Sequence, residues 1–328
     1  MANLLLTERC VRSCPYCFAK RQMKESSYDD ILSWEDFMYV VDFFELSKHK
    51  HLALLGGEPT LHPDFVEFVL YLYRRNFDIS VFTSAILSDK TLSQLQNAIE
   101  KNNIPANRLF FLCNVNHPSI SPEKEIEKQI NFLEKLGKYC SLGFNIFDVD
   151  FDLSFIVEYI NKFQLRKNVR IGLTHPIFDT KNKFISSAQM KIVAERLIAH
   201  YPLLEKNEIK LNVDCGFPLC IFDDNSLGKL YKLSNGPLHF SCGTAIDIGT
   251  HLDVWSCFPL SSYEKRSLYD FSSFNELQNY YSEILNKIKE ERKGIFEKCN
   301  DCLHLKTGLC AGGCGAYVLQ QNNDAKNE

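Results

Sequence analysis

The chain has 328 residues, enough for one large domain or for a large domain with an appendage. Its 37 basic and 41 acidic residues give a formal charge of −4, without the long run of one sign that a nucleic-acid-binding arm would need. No apolar run reaches the roughly 18 residues of a membrane span, and the first residues lack the features of a signal peptide. We therefore expect a cytoplasmic enzyme with no nucleic-acid or membrane partner.

Short apolar segments alternate along the first two thirds of the chain with longer amphipathic ones, one of which is predicted to begin at a Ser33 cap. The six apolar segments are 4–6, 51–55, 78–83, 109–115, 141–146 and 169–174. Alternating strands and helices predict a parallel α/β sheet, and right-handed crossovers would curl six such units into a partial TIM-like (β/α)6 barrel. Active sites of such barrels lie at the carboxyl ends of the strands, where this sequence places small and polar residues.

The pattern changes near residue 205. Cysteine, glycine and proline become frequent, and only one helix-like segment, about 274–291, remains. We therefore predict a barrel over residues 1–205, a cysteine-rich domain over 206–319 and a polar tail over 320–328.

The chain has 13 cysteines, which is an odd number, and it has no export signal. Disulfides do not persist in a reducing compartment, so metal binding is the first explanation for these cysteines. Cys10, Cys14 and Cys17 directly follow the first strand. Three thiolates can hold a [4Fe–4S] cluster and leave one iron open for chemistry. This C-x3-C-x2-C spacing, with Tyr16 before the last cysteine, resembles the signature of the radical SAM superfamily. A zinc knuckle lacking its fourth ligand and a chance grouping are the alternatives.

A second motif, Gly56-Gly57-Glu58-Pro59, ends the second strand. Glycines let a backbone approach a ligand closely, Glu58 and the backbone carbonyls can accept hydrogen bonds from an ammonium group, and Pro59 stiffens the turn. Together with the cysteine loop, the motif resembles the one with which the superfamily holds the amino group of S-adenosylmethionine. The resemblance implies this cofactor and makes three later strand-end residues candidates for further cofactor contacts, namely Ser84, Asn114 and Asn145.

Eight more cysteines lie in the last third of the chain: Cys215, Cys220, Cys242, Cys257, Cys299, Cys302, Cys310 and Cys314. Their pattern resembles the SPASM/Twitch-type extension of radical SAM enzymes and implies one or two auxiliary iron–sulfur clusters, with zinc as the alternative for the final four. Leu252 stands where that family has glycine, the third spacing is seven instead of five, and no cysteine follows the last one.

The family's ligand pattern, carried over by position, divides these cysteines into two groups. Cys242, Cys257 and Cys314, joined by Cys220, would hold the cluster nearer the barrel. Cys299, Cys302 and Cys310 would hold the outer one, with Cys215 or an exogenous group as fourth ligand. The remaining pair, Cys113 and Cys140, lies in apolar strands and is expected to be buried as small hydrophobic residues.

The resemblance implies that a reduced cluster passes one electron to the sulfonium, and that the resulting 5′-deoxyadenosyl radical abstracts a hydrogen atom from the substrate. SPASM-type relatives mostly modify peptides, so the predicted function is cross-linking or oxidation of a ribosomally synthesised peptide or protein (RiPP maturation). The alternatives are a dehydrogenase acting on a sugar or amino alcohol and, in another class, a non-catalytic iron–sulfur carrier or a zinc-stabilised interaction protein.

Partners follow from the same reading. An electron donor such as flavodoxin or ferredoxin is expected. Only nine residues precede Cys10, too few for an N-terminal recognition module, so a precursor would be recognised by a separate protein, by the C-terminal region or by the barrel. No general base is assigned; Asp214 and His175 are polar groups that could face the cavity, and Tyr317 is expected to serve packing.

Overall fold

The computed structural model describes residues 2–20, 23, 30–234, 236–238, 240–291 and 294–324. Ten strands form one sheet: β1 Ala2–Leu5, β2 His51–Leu55, β3 Asp78–Thr83, β4 Leu109–Asn114, β5 Cys140–Ile146, β6 Asn168–Leu173, β7 Lys210–Val213, β8 Ile246–Ile248, β9 Asp253–Trp255 and β10 Arg266–Ser267. The helices are α1 Trp34–Leu46, α2 Phe65–Arg74, α3 Asp89–Lys101, α4 Glu123–Leu136, α5 Ser154–Lys162, α6 Met190–Ala199, α7 Tyr201–Lys206, α8 Asp224–Leu233, α9 Phe274–Glu291, α10 Leu303–Lys306 and α11 Gly315–Asp324.

The sheet is an open, partial TIM-like barrel with a C-terminal extension. Strands β1 to β7 are neighbours in chain order and parallel, while β8 adds to the free edge of β1 and continues antiparallel into β9 and β10. The six predicted strands are confirmed, and so is the Ser33 cap, whose hydroxyl accepts from Asp36 N over 3.0 Å. The long helix α9 also lies where the sequence predicted it.

The region beyond residue 205 contributes to both edges of this sheet. Strand β7 was not predicted, because its four residues Lys-Leu-Asn-Val carry only two apolar side chains. The boundary near residue 205 stays a prediction. Helix α11 extends into the predicted polar tail as far as Asp324, and residues 325–328 lie outside the described part of the chain.

Side chains alternate between two environments. One face of each strand packs on the helices and forms the main core, in which Cys113 and Cys140 are fully buried as expected. The opposite face lines the barrel interior, where Leu5, Leu55 and Trp255 form a second, small apolar cluster. No helix among the described residues is both long and apolar enough to cross a bilayer.

A buried carboxyl joins the extension to the barrel. Asp247 on β8 lies beside Asn3 on β1, whose Nδ2 donates to its Oδ1 over 2.6 Å. Burial raises the pKa of Asp247 to about 7, because the ionised carboxylate is poorly solvated there. The junction between the two regions therefore contains a titratable group.

Candidate metal centres

Backbone hydrogen bonds connect the loop that carries Cys10, Cys14 and Cys17 to the Gly56–Pro59 bend. Gly57 N donates to Thr7 O over 2.8 Å, and Glu58 N donates to Arg9 O over 2.7 Å. Because β1 and β2 are adjacent parallel strands, their carboxyl ends bring both motifs to one end of the barrel. The structure thus places the two predicted motifs side by side.

The two glycines of the bend are required by this packing. A Cβ atom at Gly56 would lie 2.3 Å from Thr7 O, and one at Gly57 would lie 2.2 Å from Arg9 O. The φ of Gly56, +157°, is close to that of extended backbone, so the close contact with Thr7 is the main reason for a glycine here. We expected the glycines to make room for a ligand; the structure shows that they make room for the cysteine loop itself.

Glu58 has a different environment from the one expected. Its carboxylate is 1% exposed and accepts hydrogen bonds from Thr60 Oγ1 at 2.8 Å, Thr83 Oγ1 at 2.7 Å, Ser84 N at 2.7 Å and Ser84 Oγ at 2.6 Å. These hydrogen bonds occupy both carboxylate oxygens of Glu58. The N–H and the hydroxyl of Ser84 both donate to Glu58. Through these bonds Glu58 connects the bend to β3, and its predicted contact with an ammonium group stays a prediction.

Arg12 is a buried cation inside the cysteine loop. Its Nε pairs with Glu125 Oε2 over 2.8 Å, and its Nη1 donates to Asn114 O over 3.1 Å. Arg12 Nη2 and Asn114 Oδ1 are both buried without a hydrogen-bond partner among the described residues. A donor and an acceptor left unpaired at one strand end fit a polar ligand such as S-adenosylmethionine.

Aromatic contacts hold the rest of the loop over the barrel mouth. The Tyr16 ring stacks on Phe147 with centroids 4.7 Å apart, and its hydroxyl donates to Asn116 Oδ1 over 2.5 Å. Phe18 stacks on His175 at 6.4 Å. Tyr16, predicted as a cofactor contact, is therefore largely engaged within the protein.

The environment of the loop thiols disfavours a free thiolate and suits a thiolate bound to iron. Burial raises the pKa of Cys10 to about 12 and that of Cys17 to about 11, and the neighbouring Cys14 adds to both shifts. Closely spaced thiolates in such a place need a cation to compensate their charge. The donor set therefore fits an iron–sulfur cluster.

Two asparagines repeat one arrangement on neighbouring strands. Asn114 pairs in register with Gly143, and Asn145 with Gly172. A Cβ atom at either glycine would lie within 2.6 Å of the asparagine Oδ1, so each glycine leaves room for the amide inside the barrel. Both predicted asparagines thus lie on the interior face at the carboxyl ends of their strands.

The cysteines of the extension form two groups of four, and we name them by position. Burial raises the pKa of Cys257, and the neighbouring thiolates of Cys314, Cys242 and Cys215 raise it further. These four cysteines are the inner group. Burial also raises the pKa of Cys299, with further contributions from Cys220, Cys310 and Cys302; these are the outer group. The outer four line a cavity of about 320 Å³.

This grouping exchanges two residues relative to the sequence expectation. Cys215 lies with the inner group and Cys220 with the outer one, the reverse of the assignment carried over from the family pattern. The reason is that Cys215 follows β7 at the barrel mouth, where His175 Nε2 lies 3.4 Å from its carbonyl oxygen. Gly216 has φ of +92°, and the chain continues from there to Cys220 at the outer cavity.

Leu252 explains one departure from the family pattern. It occupies the hairpin between β8 and β9 with φ of +61°, the left-handed region that favours glycine. Leu252 therefore adopts a strained backbone conformation that glycine would adopt more easily, and its side chain is 1% exposed.

In the described part of the chain, no three His, Cys, Asp or Glu side chains converge as ligands of one metal ion. A [4Fe–4S] cluster spaces its thiolates more widely, because each binds a different iron. All 13 cysteines are free thiols, and the three groups supply three, four and four of them.

Residues 4–109 match the Radical SAM superfamily, a segment that holds both the cysteine loop and the bend. They form a radical SAM domain. The GTP 3′,8-cyclase of Campylobacter lari is 26% identical over 152 residues, which cover 44% of this chain and 44% of the cyclase. The chain thus spans less than half the length of this curated relative.

Solved structures resemble the fold of almost the whole chain. SuiB of Streptococcus suis bound to S-adenosylmethionine matches with a TM-score of 0.66 at 14% identity, covering 98% of this chain and 73% of SuiB. SuiB has also been solved bound to its precursor peptide SuiA. The structure of anSMEcpe with bound AdoMet has a TM-score of 0.66 at 18% identity, covering 96% of this chain and 88% of that one.

Two interior residues were missed from sequence. Arg12 was overlooked although it is the basic residue inside the cysteine motif. Arg170 on β6 alternates with the core residues Val169 and Ile171, which is a signal for the barrel interior. Its guanidinium pairs with Asp214 and lies 5.8 Å from the centroid of Phe82. Tyr317 packs as expected and accepts from Ser187 N over 2.6 Å.

Proposed function

We propose that the chain is a radical SAM enzyme that cross-links or oxidises a ribosomally synthesised peptide or protein. In this proposal Cys10, Cys14 and Cys17 hold a [4Fe–4S] cluster, while the inner and outer groups hold two auxiliary clusters. When bound, the first cluster and S-adenosylmethionine supply a 5′-deoxyadenosyl radical that abstracts hydrogen. Arg12, Asn114 and the carbonyls of the bend orient that cofactor.

The observation that carries the proposal is the position of the inner group across the barrel mouth from the cysteine loop. Phe18 follows Cys17 and stacks on His175, and His175 contacts the Cys215 carbonyl. Burial lowers the pKa of His175 to about 4, so this connecting ring is neutral. A substrate at the mouth would lie between a hydrogen acceptor on one side and an electron acceptor on the other, which favours net oxidation.

A second candidate is a small-molecule reaction on a nucleotide. It is favoured by the similarity to GTP 3′,8-cyclase, which is confined to 44% of this chain. The sugar or amino alcohol dehydrogenase remains an alternative of the same kind. We place the peptide first because the resemblance to SuiB extends over 98% of the chain and includes the extension.

The test uses the full chain, reconstituted anaerobically with iron and sulfide and reduced with dithionite in the presence of S-adenosylmethionine. One arm receives the peptide encoded by a short reading frame beside the gene, and the other receives GTP. The proposal predicts 5′-deoxyadenosine and a peptide that has lost two hydrogen atoms by mass spectrometry. Conversion of GTP with an unchanged peptide would support the nucleotide reaction. Iron without cofactor cleavage would support the carrier, and zinc without iron the interaction protein.

A further inference from the structure

The inner group lies between fixed charges of opposite sign. On one side, Lys289 of α9 donates from Nζ to Cys242 O over 2.9 Å. On the barrel side, Asp214 directly precedes Cys215 and forms an ion pair with Arg170, with both side chains 33% exposed. The thiols therefore have a lysine on one side and, on the barrel side, a carboxylate that adjoins Cys215 and is paired with the Arg170 guanidinium.

Lys289 lies on the side of the inner group that leads to the outer one. It lines a recess together with Cys242, Gly315 and Ala311, and Ala311 is the residue after Cys310 of the outer group. Lys289 is half-buried, whereas Lys287 of the same helix is exposed. The same helix thus offers one lysine at the cysteines and one directed to solvent.

Both charges adjoin the inner group, because Lys289 Nζ contacts the Cys242 carbonyl over 2.9 Å and Asp214 is the residue bonded to Cys215. A fixed charge that changes the cost of a thiolate changes the cost of an added electron in the same direction.

We propose that Lys289 and Asp214 are positioning residues for electron flow, which shift the reduction potential of a cluster in the inner group in opposite directions. Lys289 raises the potential and Asp214 lowers it, so their field draws an electron away from the barrel mouth and towards the outer group. This inference rests on the proposed function, in which the substrate carbon radical, after hydrogen abstraction, gives up one electron to the inner group and one proton to water. The outer group would pass the electron to a one-electron carrier protein.

The experiment uses the full chain with Cys10→Ala, Cys14→Ala and Cys17→Ala, so that all bound iron belongs to the extension. After anaerobic reconstitution, the clusters are titrated with dithionite and followed by electron paramagnetic resonance. Lys289→Gln is expected to lower one midpoint potential by 59 mV, which corresponds to a roughly tenfold change in the one-electron reduction equilibrium. Asp214→Asn is expected to raise the same potential, and Lys289→Arg to retain the parental value.

Two internal controls accompany these variants. Lys287→Gln removes a charge from the exposed face of the same helix and is expected to leave both potentials unchanged. The second cluster is expected to keep its potential in every variant. Should Lys289→Gln lose iron, Lys289→Met, which keeps the length of the side chain without its charge, is titrated in its place and is expected to show the same lowered potential.

The outcomes separate this inference from the proposed function. Both clusters could assemble with potentials that are unchanged in Lys289→Gln and Asp214→Asn, or that shift in the same direction in both variants. Either result would overturn the inference and leave the proposed function standing. A background protein that binds no iron would overturn both.

Discussion

The cysteine loop and the extension encode their thiol groups in contrasting ways. In the loop, three cysteines lie within eight residues and are fixed by backbone bonds to the neighbouring bend. In the extension, each group of four is gathered from segments far apart in sequence, such as Cys215 and Cys314. Local spacing therefore specifies the first group, whereas only the fold specifies the other two, and that is where the grouping of Cys215 and Cys220 differs from the family pattern.

The largest expected effect comes from removing pairs of extension cysteines. In the background without the loop cysteines, Cys215→Ala with Cys257→Ala should lose about four irons, because both belong to one cluster. Cys220→Ala with Cys257→Ala should lose about eight, because each disrupts a different cluster. Iron and sulfide analysis after reconstitution measures the difference, and the reverse result would restore the assignment carried over from sequence.

On the local side of the comparison, Glu58→Gln tests whether the loop and the bend form one unit. The substitution turns an acceptor oxygen into a donor amide that faces the donors of Thr83 and Ser84. We expect a loss of about 2–3 kcal/mol in unfolding free energy and weaker S-adenosylmethionine binding. Chemical denaturation and isothermal calorimetry measure both, with exposed Glu67→Gln as control. Unchanged stability would show that the hydrogen bonds around Glu58 do not hold the bend.

Asp247 tests the junction between barrel and extension. Its native pKa of about 7 exceeds the usual value near 4, so the folded state holds a proton that the unfolded state releases. The resulting destabilisation is absent below pH 4, grows as pH rises and is complete above pH 7. Asp247→Asn should therefore gain on the order of 4 kcal/mol relative to the parent at pH 8 and little at pH 4.

Unfolding at several pH values measures this difference. A gain that is equal at both pH values would mean that the carboxyl is ionised throughout this range.

The smallest expected effect concerns the Leu252 turn of the extension. Both Leu252→Ala and Leu252→Gly lose a buried side chain, but only glycine relieves the φ of +61°. We expect the glycine variant to be more stable than the alanine variant by about 1 kcal/mol, the reverse of the usual order. Urea unfolding of the two variants decides this, and greater stability of the alanine variant would argue against strain.

The sequence was sufficient for the parts of the molecule that depend on local pattern. Apolar runs predicted β1 to β6, and the cysteine and Gly56–Pro59 motifs predicted the site at their ends. Strand β7 was missed, because with two apolar side chains it gains its stability by pairing with β6. The hydrogen-bond partners of Glu58 were not predicted for a related reason, since Thr83 and Ser84 belong to another strand end.

The central claim is that the loop after β1, and not the extension, is where the cofactor is cleaved. The direct measurement is 5′-deoxyadenosine formed from S-adenosylmethionine by three reconstituted proteins: the parent, Cys14→Ala and Cys257→Ala. We predict formation by the parent and by Cys257→Ala, and none above background for Cys14→Ala. Cleavage that survives Cys14→Ala, or an iron-replete parent that forms no 5′-deoxyadenosine, would contradict the account.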